Sequence, residues 1–346
     1  MFVKKVYVGL SGGVDSSLSA ALLVEQGYDV TGVFMKNWSQ DLPGFECPWR
    51  EDYQDAKRVA VQLGIPFVMY DFEKEYRQKV VDYLVSEYQA GNTPNPDIMC
   101  NQEIKFKLFL DTAISNGAEM IATGHYARTS KGRLLRAVDD NKDQTYFLYR
   151  TTSNALKQVI FPLGEFTKPE VRQMAEQRGL VTARKKESMG ICFVGRVGIK
   201  DFLIHELGPQ KPGDIVNSAG EVLGKHDGAI FYTIGQRHGL EIGGGLPYYV
   251  IGKDMGKNEV QVTTNIDDSS LWSDIIGMQN LHWIAGEPAN GSVVQVRTRH
   301  RALLVNAKYD ATKSQLILEE PIRALTPGQS TVIYTDTDCL GGGVVV

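Results

Sequence analysis

Cysteine is scarce in this chain, and the cysteines that occur never stand at close spacing. Among 346 residues there are four, Cys47, Cys100, Cys192 and Cys339, and no C-x-x-C pair is present. This pattern argues against a structural zinc site and against the disulfide framework of a small secreted domain. We therefore expect a cytoplasmic protein in a reducing compartment, where any disulfide is transient and catalytic.

A basic surplus and long apolar runs are also missing. The formal net charge is −4, so no global positive field attracts nucleic acid, and any RNA contact must come from local patches. No stretch reaches the about 18 apolar residues that a membrane-spanning helix needs, so we expect no membrane partner. The first apolar strand starts within a few residues of Met1, and we expect no signal or transit peptide.

A glycine-rich turn near the beginning of the chain predicts a nucleotide site. Residues 6–10 form an apolar run typical of a buried strand, and an apolar-faced helix is predicted from Ser16 to Leu23. Between them lies Ser11-Gly12-Gly13-Val14-Asp15-Ser16. A strand, a glycine turn and a helix N-terminus together make an anion site, because free backbone N–H groups face the ligand. The Walker lysine is absent, and Asp15 beside phosphates implies metal binding or helix capping.

The first part of the chain alternates strand and helix patterns. Strands are predicted at 30–35, 66–70 and 120–123, and helices at 52–63, 72–90 and 105–116. Such alternation indicates βαβ units around a parallel sheet, whose ligands gather at the carboxyl ends of the strands. Gly12, Met35 and Gly124 lie at three such ends.

Beyond about residue 198 the pattern changes to short β segments. Prolines and glycines separate these segments, and strands are predicted at 292–297, 302–309, 315–318 and 330–334. Runs at this spacing are typical of a small barrel or sandwich. The tract Gly341-Gly342-Gly343 has low complexity.

Two of the cysteines lie in segments that carry chemistry. Cys100 follows Pro94 and Pro96, which predict a rigid extended loop leading into a helix whose N-terminus would favour a thiolate. Asp97 stands three residues earlier and is placed to exchange a proton. Cys192 follows three cations at 184–186, which favour a thiolate or a persulfide. Cys47 and Cys339 are predicted to be small buried hydrophobes.

The loop resembles that of the N-type ATP pyrophosphatases, which cleave ATP between the α and β phosphates. With further motifs along the chain, the whole sequence resembles the bacterial MnmA (TrmU) family of tRNA-specific 2-thiouridylases. The matching segments are 9–17, 34–38, 92–101, 122–128, 142–148, 190–193, 232–237 and 339–343.

The resemblance implies an α/β fold in three parts: a PP-loop catalytic domain at 1–198, a central α+β domain at 199–268, and a C-terminal β-barrel at 269–346 that binds tRNA. It also implies a set of site residues. ATP would be bound by Gly9, Leu10, Ser11, Gly12, Gly13, Val14, Asp15, Ser16, Met35 and Gly124. The target base would be contacted by Asn95, Pro96 and Asp97, and the rest of the tRNA by Lys142, Asp143, Gln144, Arg299 and His300.

The resemblance further implies the chemistry. Asp97 would be catalytic, Cys100 the nucleophile and Cys192 the persulfide carrier, with a transient Cys100–Cys192 disulfide. ATP with Mg²⁺ would adenylate the C2 oxygen of wobble uridine 34 in tRNAs of the Lys, Glu and Gln type, releasing pyrophosphate and then AMP. No protein-bound metal is expected. The partners would be tRNA and a persulfide donor, either a cysteine desulfurase or a sulfur-relay protein, and the protein would be a monomer.

The sequence departs from the family pattern at one site residue. The family commonly has Arg-Tyr where this chain has Arg299-His300. A histidine can stack on a base as a tyrosine can, but it also becomes charged below about pH 6.5. The neighbouring Arg297 and Arg301 form a local basic cluster, for which the alternative is a solvated strand edge.

Two other functions stay open at this point. A PP-loop amide or amidine ligase of the GMP or argininosuccinate synthetase type would use the same loop without needing Cys100 or Cys192. A non-catalytic RNA-binding protein would bind tRNA without consuming ATP.

Overall fold

The computed structural model describes residues 3–44, 46–186, 198–243 and 245–346. Strands β1 to β17 are, in chain order, Lys5–Gly9, Asp29–Lys36, Phe67–Asp71, Met120–Ala122, Arg128–Ser130, Arg133–Leu135, Val159–Ile160, Gly213–Val216, Val222–His226, Tyr249–Asp254, Glu259–Thr263, Trp272–Trp283, Val293–Arg297, Val305–Asp310, Gln315–Arg323, Ser330–Thr335 and Asp338–Val345. Helices α1 to α10 are Val14–Glu25, Trp49–Leu63, Glu73–Tyr76, Asp82–Gln89, Pro96–Met99, Leu110–Ser115, Thr145–Leu148, Ser153–Leu156, Lys168–Gln177 and Ile199–Leu207. Two π-helical segments, Arg77–Val81 and Cys100–Phe109, join neighbouring helices, and short 3₁₀ turns occur at Ala229–Phe231 and Ser269–Leu271.

The N-terminal part is built on a parallel sheet, as predicted. Its strands run in the order β3-β2-β1-β4-β7, and every pairing is parallel. The apolar runs that predicted β1 and β2 are buried in the sheet, because helices cover both of its faces. The carboxyl ends of β1, β2 and β4 therefore meet at one edge.

A second, four-stranded sheet in the order β10-β11-β8-β9 forms the middle of the chain around a small core that includes Ile215 and Val260. The C-terminal part is a closed antiparallel barrel. Strands follow in the order β12-β15-β14-β13-β16-β17, and β12 pairs with β17 to close the ring. The predicted barrel is thereby confirmed, and it includes the glycine tract at 341–343 as part of β17.

A β-hairpin of the N-terminal part extends the barrel sheet. Strand β6 pairs with β17, with Leu134 opposite Cys339, and β5 pairs with β6. A shared apolar cluster continues from this hairpin into both parts and includes Leu134, Tyr146, Val332 and Cys339. The N-terminal part and the barrel are therefore joined by backbone hydrogen bonds and by a common core.

The predicted position of Cys100 in an extended loop at a helix N-terminus is wrong. The helix begins at Pro96, so Cys100 lies after its first turn, at the start of the π-helical segment Cys100–Phe109. Proline suits the first position of a helix, because the N–H group that it lacks would have no partner within the helix there. The side chain of Asn95 caps this helix by accepting a hydrogen bond from the Asp97 amide. Within the described residues, no helix has the length and apolar character needed to cross a bilayer.

Candidate active site

The loop between β1 and α1 is shaped by its own serines. The Ser16 hydroxyl donates to the Gly13 carbonyl at 3.1 Å and accepts from the Ser11 amide at 3.1 Å. Gly12 has a φ of +75°, and a Cβ on it would stand 2.5 Å from the Asp52 carbonyl oxygen. No described side chain caps α1, so the N–H groups of its first turn lack a side-chain acceptor at the positive end of the helix dipole. This arrangement suits a phosphate.

Three strand ends meet at this loop. A Cβ on Gly124, just after β4, would stand 2.8 Å from the Ser16 amide nitrogen, so the backbones are in direct contact. The Met35 methyl lies 3.0 Å from where a Cβ on Gly9 would be. The structure thus brings together all the residues predicted to bind ATP, namely Gly9, Leu10, Ser11, Gly12, Gly13, Val14, Asp15, Ser16, Met35 and Gly124. Their role in binding ATP stays a prediction.

Asp15 has partners that the sequence did not reveal. Its carboxylate accepts from the Lys168 ammonium at 2.7 and 2.8 Å and from the Tyr126 hydroxyl at 3.0 Å. Neither contact is a helix cap, and in the described parts of the chain no group of three or more His, Cys, Asp or Glu side chains is placed to hold a metal. Asp15 therefore anchors a cation beside the nucleotide loop.

The predicted base-binding segment lies between the three parts of the chain. The Thr93 carbonyl accepts from the Gln329 amide of the barrel at 2.7 Å, and the Thr93 hydroxyl lies 3.2 Å from that of Thr233 in the middle part. Asn95, Pro96 and Asp97 follow directly, and burial raises the pKa of the Asp97 carboxyl, while the charge of Lys105 opposes the rise. The three residues are thus held where all parts of the chain converge.

Cys100 and His125 belong to two elements that pack against each other. Cys100 is only 4% exposed. The His125 ring packs 5.6 Å from Phe106 on the same π-helical segment as Cys100, and its Nδ1 lies 2.7 Å from the Thr123 hydroxyl. Burial, with the nearby Lys105 charge, holds the His125 pKa well below its usual value. The ring thus lies between Phe106, on the helix of Cys100, and Thr123, the residue before Gly124.

Asp143 and Gln144 were predicted to contact tRNA together with Lys142. In the structure, the side chains of Asp143 and Gln144 make hydrogen bonds within the protein. Asp143 is fully buried and accepts from the Ala137 amide at 3.1 Å, from the Thr145 hydroxyl at 2.8 Å and from Arg297 at 3.4 Å. The Gln144 amide oxygen accepts from the Tyr126 amide at 2.9 Å. In this conformation these two side chains shape the loop, and their contact with tRNA stays a prediction.

Arg299 and His300 differ in environment. Arg299 is exposed and donates to the Ala324 carbonyl at 2.8 Å, whereas the His300 ring packs 4.5 Å from the Phe147 ring. Burial first, then the charges of Arg301, Arg297 and Lys142, lower the His300 pKa to about 4. The expectation that His300 is charged below about pH 6.5 is therefore wrong. Arg297 is also buried, so it does not belong to an exposed basic cluster.

The remaining cysteines divide as follows. Cys47 and Cys339 are buried, as predicted, and burial raises the pKa of both thiols. Cys192, the predicted persulfide carrier, lies outside the described residues.

Sequence reasoning missed Lys168 and Asp139. The start of α9 has the capping box of Thr167 and Glu170, a pattern visible in the sequence, but nothing local indicates that the following lysine reaches Asp15. Asp139 accepts from the amides of Asn141, Lys142 and Lys168 at 3.0, 3.2 and 2.9 Å. It ties the loop of Lys142 to the helix of Lys168.

Three family models match successive parts of the chain. Residues 4–196 match the tRNA methyl transferase HUP domain, residues 200–264 the tRNA methyl transferase PRC-barrel domain, and residues 273–345 the aminomethyltransferase beta-barrel domain. The similarity extends to complete proteins. The tRNA-specific 2-thiouridylase MnmA of Bacillus subtilis is 48% identical over 352 residues, which cover 99% of this chain and 94% of the relative. The protein of the same name from Bacillus licheniformis is 49% identical over 353 residues, with the same coverage.

The chain belongs to the tRNA-specific 2-thiouridylase MnmA family. The resemblance inferred from the sequence motifs is confirmed, and with it the assignment to an enzyme family of tRNA sulfurtransferases. Among solved structures, a 4-thiouridine synthetase in complex with RNA and ATP is 19% identical, with a TM-score of 0.37, over 53% of this chain and 43% of that one. So distant a likeness adds nothing to the MnmA assignment.

Proposed function

We propose that this protein replaces the C2 oxygen of the wobble uridine in tRNA with sulfur, at the expense of ATP. The observation that carries the proposal is the junction at Gly124 and His125. Gly124 lies against the first turn of α1, and the His125 ring packs on the helix that bears Asp97 and Cys100. A nucleotide on the loop would therefore lie next to the helix that carries the proposed base-binding residue Asp97 and the proposed nucleophile Cys100.

The first step would be adenylation. The uridine O2 attacks the α-phosphorus of ATP, the bond to the β-phosphate breaks, and pyrophosphate leaves with its electron pair. The N3 proton of the uridine must go to a base, and the Asp97 carboxylate is the proposed acceptor. Its raised pKa brings it closer to the pKa of a useful proton acceptor near neutral pH. Oxygen bound to AMP is then a far better leaving group than a carbonyl oxygen.

Mg²⁺ would arrive with ATP rather than be held by a cage of side chains. Asp15 is the carboxylate in the first turn of α1, and its present partners are Lys168 and Tyr126. A magnesium ion usually keeps several waters and takes substrate phosphates with one or two carboxylates, which this loop could provide. Its contribution would be charge neutralisation on the phosphates.

The second step would transfer sulfur. Cys192 would receive a persulfide from a donor protein, and its terminal sulfur would attack C2 as AMP leaves. The Cys100 thiolate then attacks the Cys192 sulfur, closing a disulfide and releasing the thiocarbonyl. Alternatively, Cys100 attacks first and releases hydrosulfide, which attacks C2. Either route ends in a Cys100–Cys192 disulfide, which an external thiol must reduce before the next turnover.

The environment of Cys100 is consistent with such a step. A π-helical segment begins at this residue, and π-turns occur frequently at functional sites. A disulfide needs its two Cα atoms within about 7 Å. Because Cys100 is buried, the surrounding chain must rearrange to admit both the base and a second sulfur.

In this scheme residues 1–198 carry out the chemistry, 199–268 connect, and 269–346 add contacts to tRNA. The chain would act as a monomer. The exposed side chain of Arg299 and the backbone around Lys142 are the proposed tRNA contacts outside the anticodon base.

The test is a nucleoside analysis of unmodified tRNA incubated with the protein, ATP, a persulfide source and a thiol reductant. Mass spectrometry should detect 2-thiouridine, and pyrophosphate release should depend on tRNA. A matched tRNA with cytidine at the wobble position is the control. A methylated nucleoside in place of the thiolated one would contradict the proposal. Pyrophosphate release with an amine and without tRNA would instead support the ligase alternative.

A further inference from the structure

We propose that Lys168 is a catalytic residue that binds the pyrophosphate leaving group, and that Asp15 holds its ammonium beside the nucleotide loop beforehand. This inference rests on the proposed function in that it assumes ATP binds at this loop. The loop itself has no lysine to neutralise the phosphates, since the Walker lysine is absent. Lys168 would supply that positive charge.

The position of the ammonium is the first support. Lys168 Nζ lies 2.7 and 2.8 Å from the two carboxylate oxygens of Asp15, the second residue of α1. The N–H groups of that same helix turn form the proposed phosphate site. The ammonium therefore stands at the edge of that site, within reach of an anion bound there.

Burial is the second support. Lys168 is only 8% exposed, and lysine is among the side chains least often buried. The Asp15 side chain is 31% exposed, so only the lysine side of the ion pair is buried. The desolvation of the ammonium offsets much of the attraction to a partly solvated carboxylate, so the pair does little for stability on its own. A buried cation beside an anion site is then better explained by a ligand than by folding.

The backbone of Lys168 is fixed in place. It opens α9, its amide donates to Asp139 at 2.9 Å, and Thr167 and Glu170 form a capping box around it. Val171 and Ala175 of α9 pack with Leu18 and Leu22 of α1 in one apolar cluster. The side chain thus needs only its own rotamers to move from the carboxylate to a phosphate.

The charge balance of the reaction fits this movement. When the bond between the α and β phosphates breaks, the bridging oxygen takes the electron pair and negative charge grows on pyrophosphate. An ammonium that donates to that oxygen stabilises the transition state more than the ground state. Asp15 keeps the Tyr126 hydroxyl as a donor, so its carboxylate does not lose every partner.

The experiment is isothermal titration with inorganic pyrophosphate and, separately, with AMP, each in the presence of Mg²⁺. Lys168→Met keeps the length of the side chain and removes its charge. Removing one charge-assisted contact lowers binding affinity by about 10- to 100-fold, and we expect a loss of that size for pyrophosphate. The affinity for AMP should be the same as in the unaltered protein. Lys57→Met, at an exposed position on α2, is the matched control and should change neither affinity.

Other outcomes would overturn the inference. Unchanged pyrophosphate affinity in Lys168→Met, or an equal loss for AMP, would mean that Lys168 only braces α9 against α1. Thermal unfolding of each variant checks the fold, and if Lys168→Met is unfolded, Lys168→Gln replaces it, because glutamine can still donate a hydrogen bond to Asp15 but carries no charge. This neutral variant should also bind pyrophosphate more weakly if the inference holds, and an unchanged affinity would overturn it. A protein that binds pyrophosphate through Lys168 but never thiolates tRNA would contradict the proposed function alone.

Discussion

A Cβ on Gly124 would stand 2.8 Å from the amide nitrogen of Ser16. The end of β4 therefore touches the first turn of α1 backbone to backbone, and only a residue without a side chain permits the contact. Because Gly124 also precedes His125, whose ring packs on Phe106, the end of β4 contacts both the loop and the helix of Cys100. The contact between the loop and the end of β4 therefore depends on the missing Cβ of Gly124.

Gly12→Ala and Gly13→Ala should differ although the residues are adjacent. Gly12 has a left-handed φ of +75° and no room beside the Asp52 carbonyl, whereas Gly13 has a φ of −95° and meets only the Ser11 hydroxyl, at 3.5 Å. We expect Gly12→Ala to cost about 1–3 kcal/mol of unfolding free energy and Gly13→Ala much less. Chemical denaturation of the ligand-free protein measures both, and equal losses would refute this explanation of the loop.

Asp97→Asn should stabilise the protein at neutral pH while abolishing thiolation. Burial raises the pKa of Asp97, so the folded state binds its proton more tightly than the unfolded state, whose pKa is near the usual 3.8. That stabilising contribution is complete below the unfolded pKa and disappears as the pH rises through the folded pKa, leaving a buried charge above it. Asparagine removes that charge.

The melting temperature of Asp97→Asn should therefore exceed that of the unaltered protein at pH 7, and the gap should shrink towards pH 4. Asp111→Asn, at an exposed position on α6, is the control and should show no such pattern. A lower melting temperature for Asp97→Asn at pH 7 would show that hydrogen bonds, rather than desolvation, dominate at Asp97.

Arg299→Ala should weaken tRNA binding and reduce its salt dependence. One lost phosphate contact lowers the slope of log affinity against log salt by about 0.7 to 0.9. Lys308, exposed on β14 of the same barrel, is the matched control, and Lys308→Ala should leave the slope unchanged. Binding measured at several salt concentrations decides the matter, and an unaltered slope for Arg299→Ala would remove this residue from the interface.

The two proposed thiols should fail in different ways. With a radiolabelled persulfide donor, Cys192→Ser should not retain label, whereas Cys100→Ser should retain label that a reductant removes, yet not thiolate tRNA. Both should still release pyrophosphate with tRNA and ATP. Cys47→Ala replaces a buried thiol with a raised pKa and should thiolate normally. The opposite labelling pattern would exchange the two roles, and normal thiolation by both serine variants would refute sulfur transfer through this pair.

The sequence predicted the N-terminal sheet well because its strands are buried apolar runs separated by helices. Cys100 was harder, since the prolines at 94 and 96 suggest an extended loop, yet Pro96 opens a helix once Asn95 caps it. Strand β17 was missed because its glycines lower strand propensity. They are required by close packing, since a Cβ on Gly343 would stand 2.8 Å from the Leu281 side chain.

The contact between Lys168 and Asp15 could not be found from local sequence at all. The two residues are 153 positions apart, and only the packing of α9 on α1 makes them neighbours. Propensity and periodicity describe single elements, so they locate the start of a helix but not the residue towards which its first side chain points. Contacts of this kind have to be read from the tertiary structure.

The hairpin of β5 and β6 couples the unfolding of the N-terminal part to that of the barrel. Because β6 takes its hydrogen bonds from β17, and Tyr146 donates to the Ser330 carbonyl at 3.0 Å, removing the barrel would leave an unpaired strand edge and a bare apolar surface on the N-terminal part. Exposed edges of this kind promote aggregation. The two parts should consequently melt as one cooperative unit, with a single calorimetric transition, and a truncated N-terminal part should be insoluble.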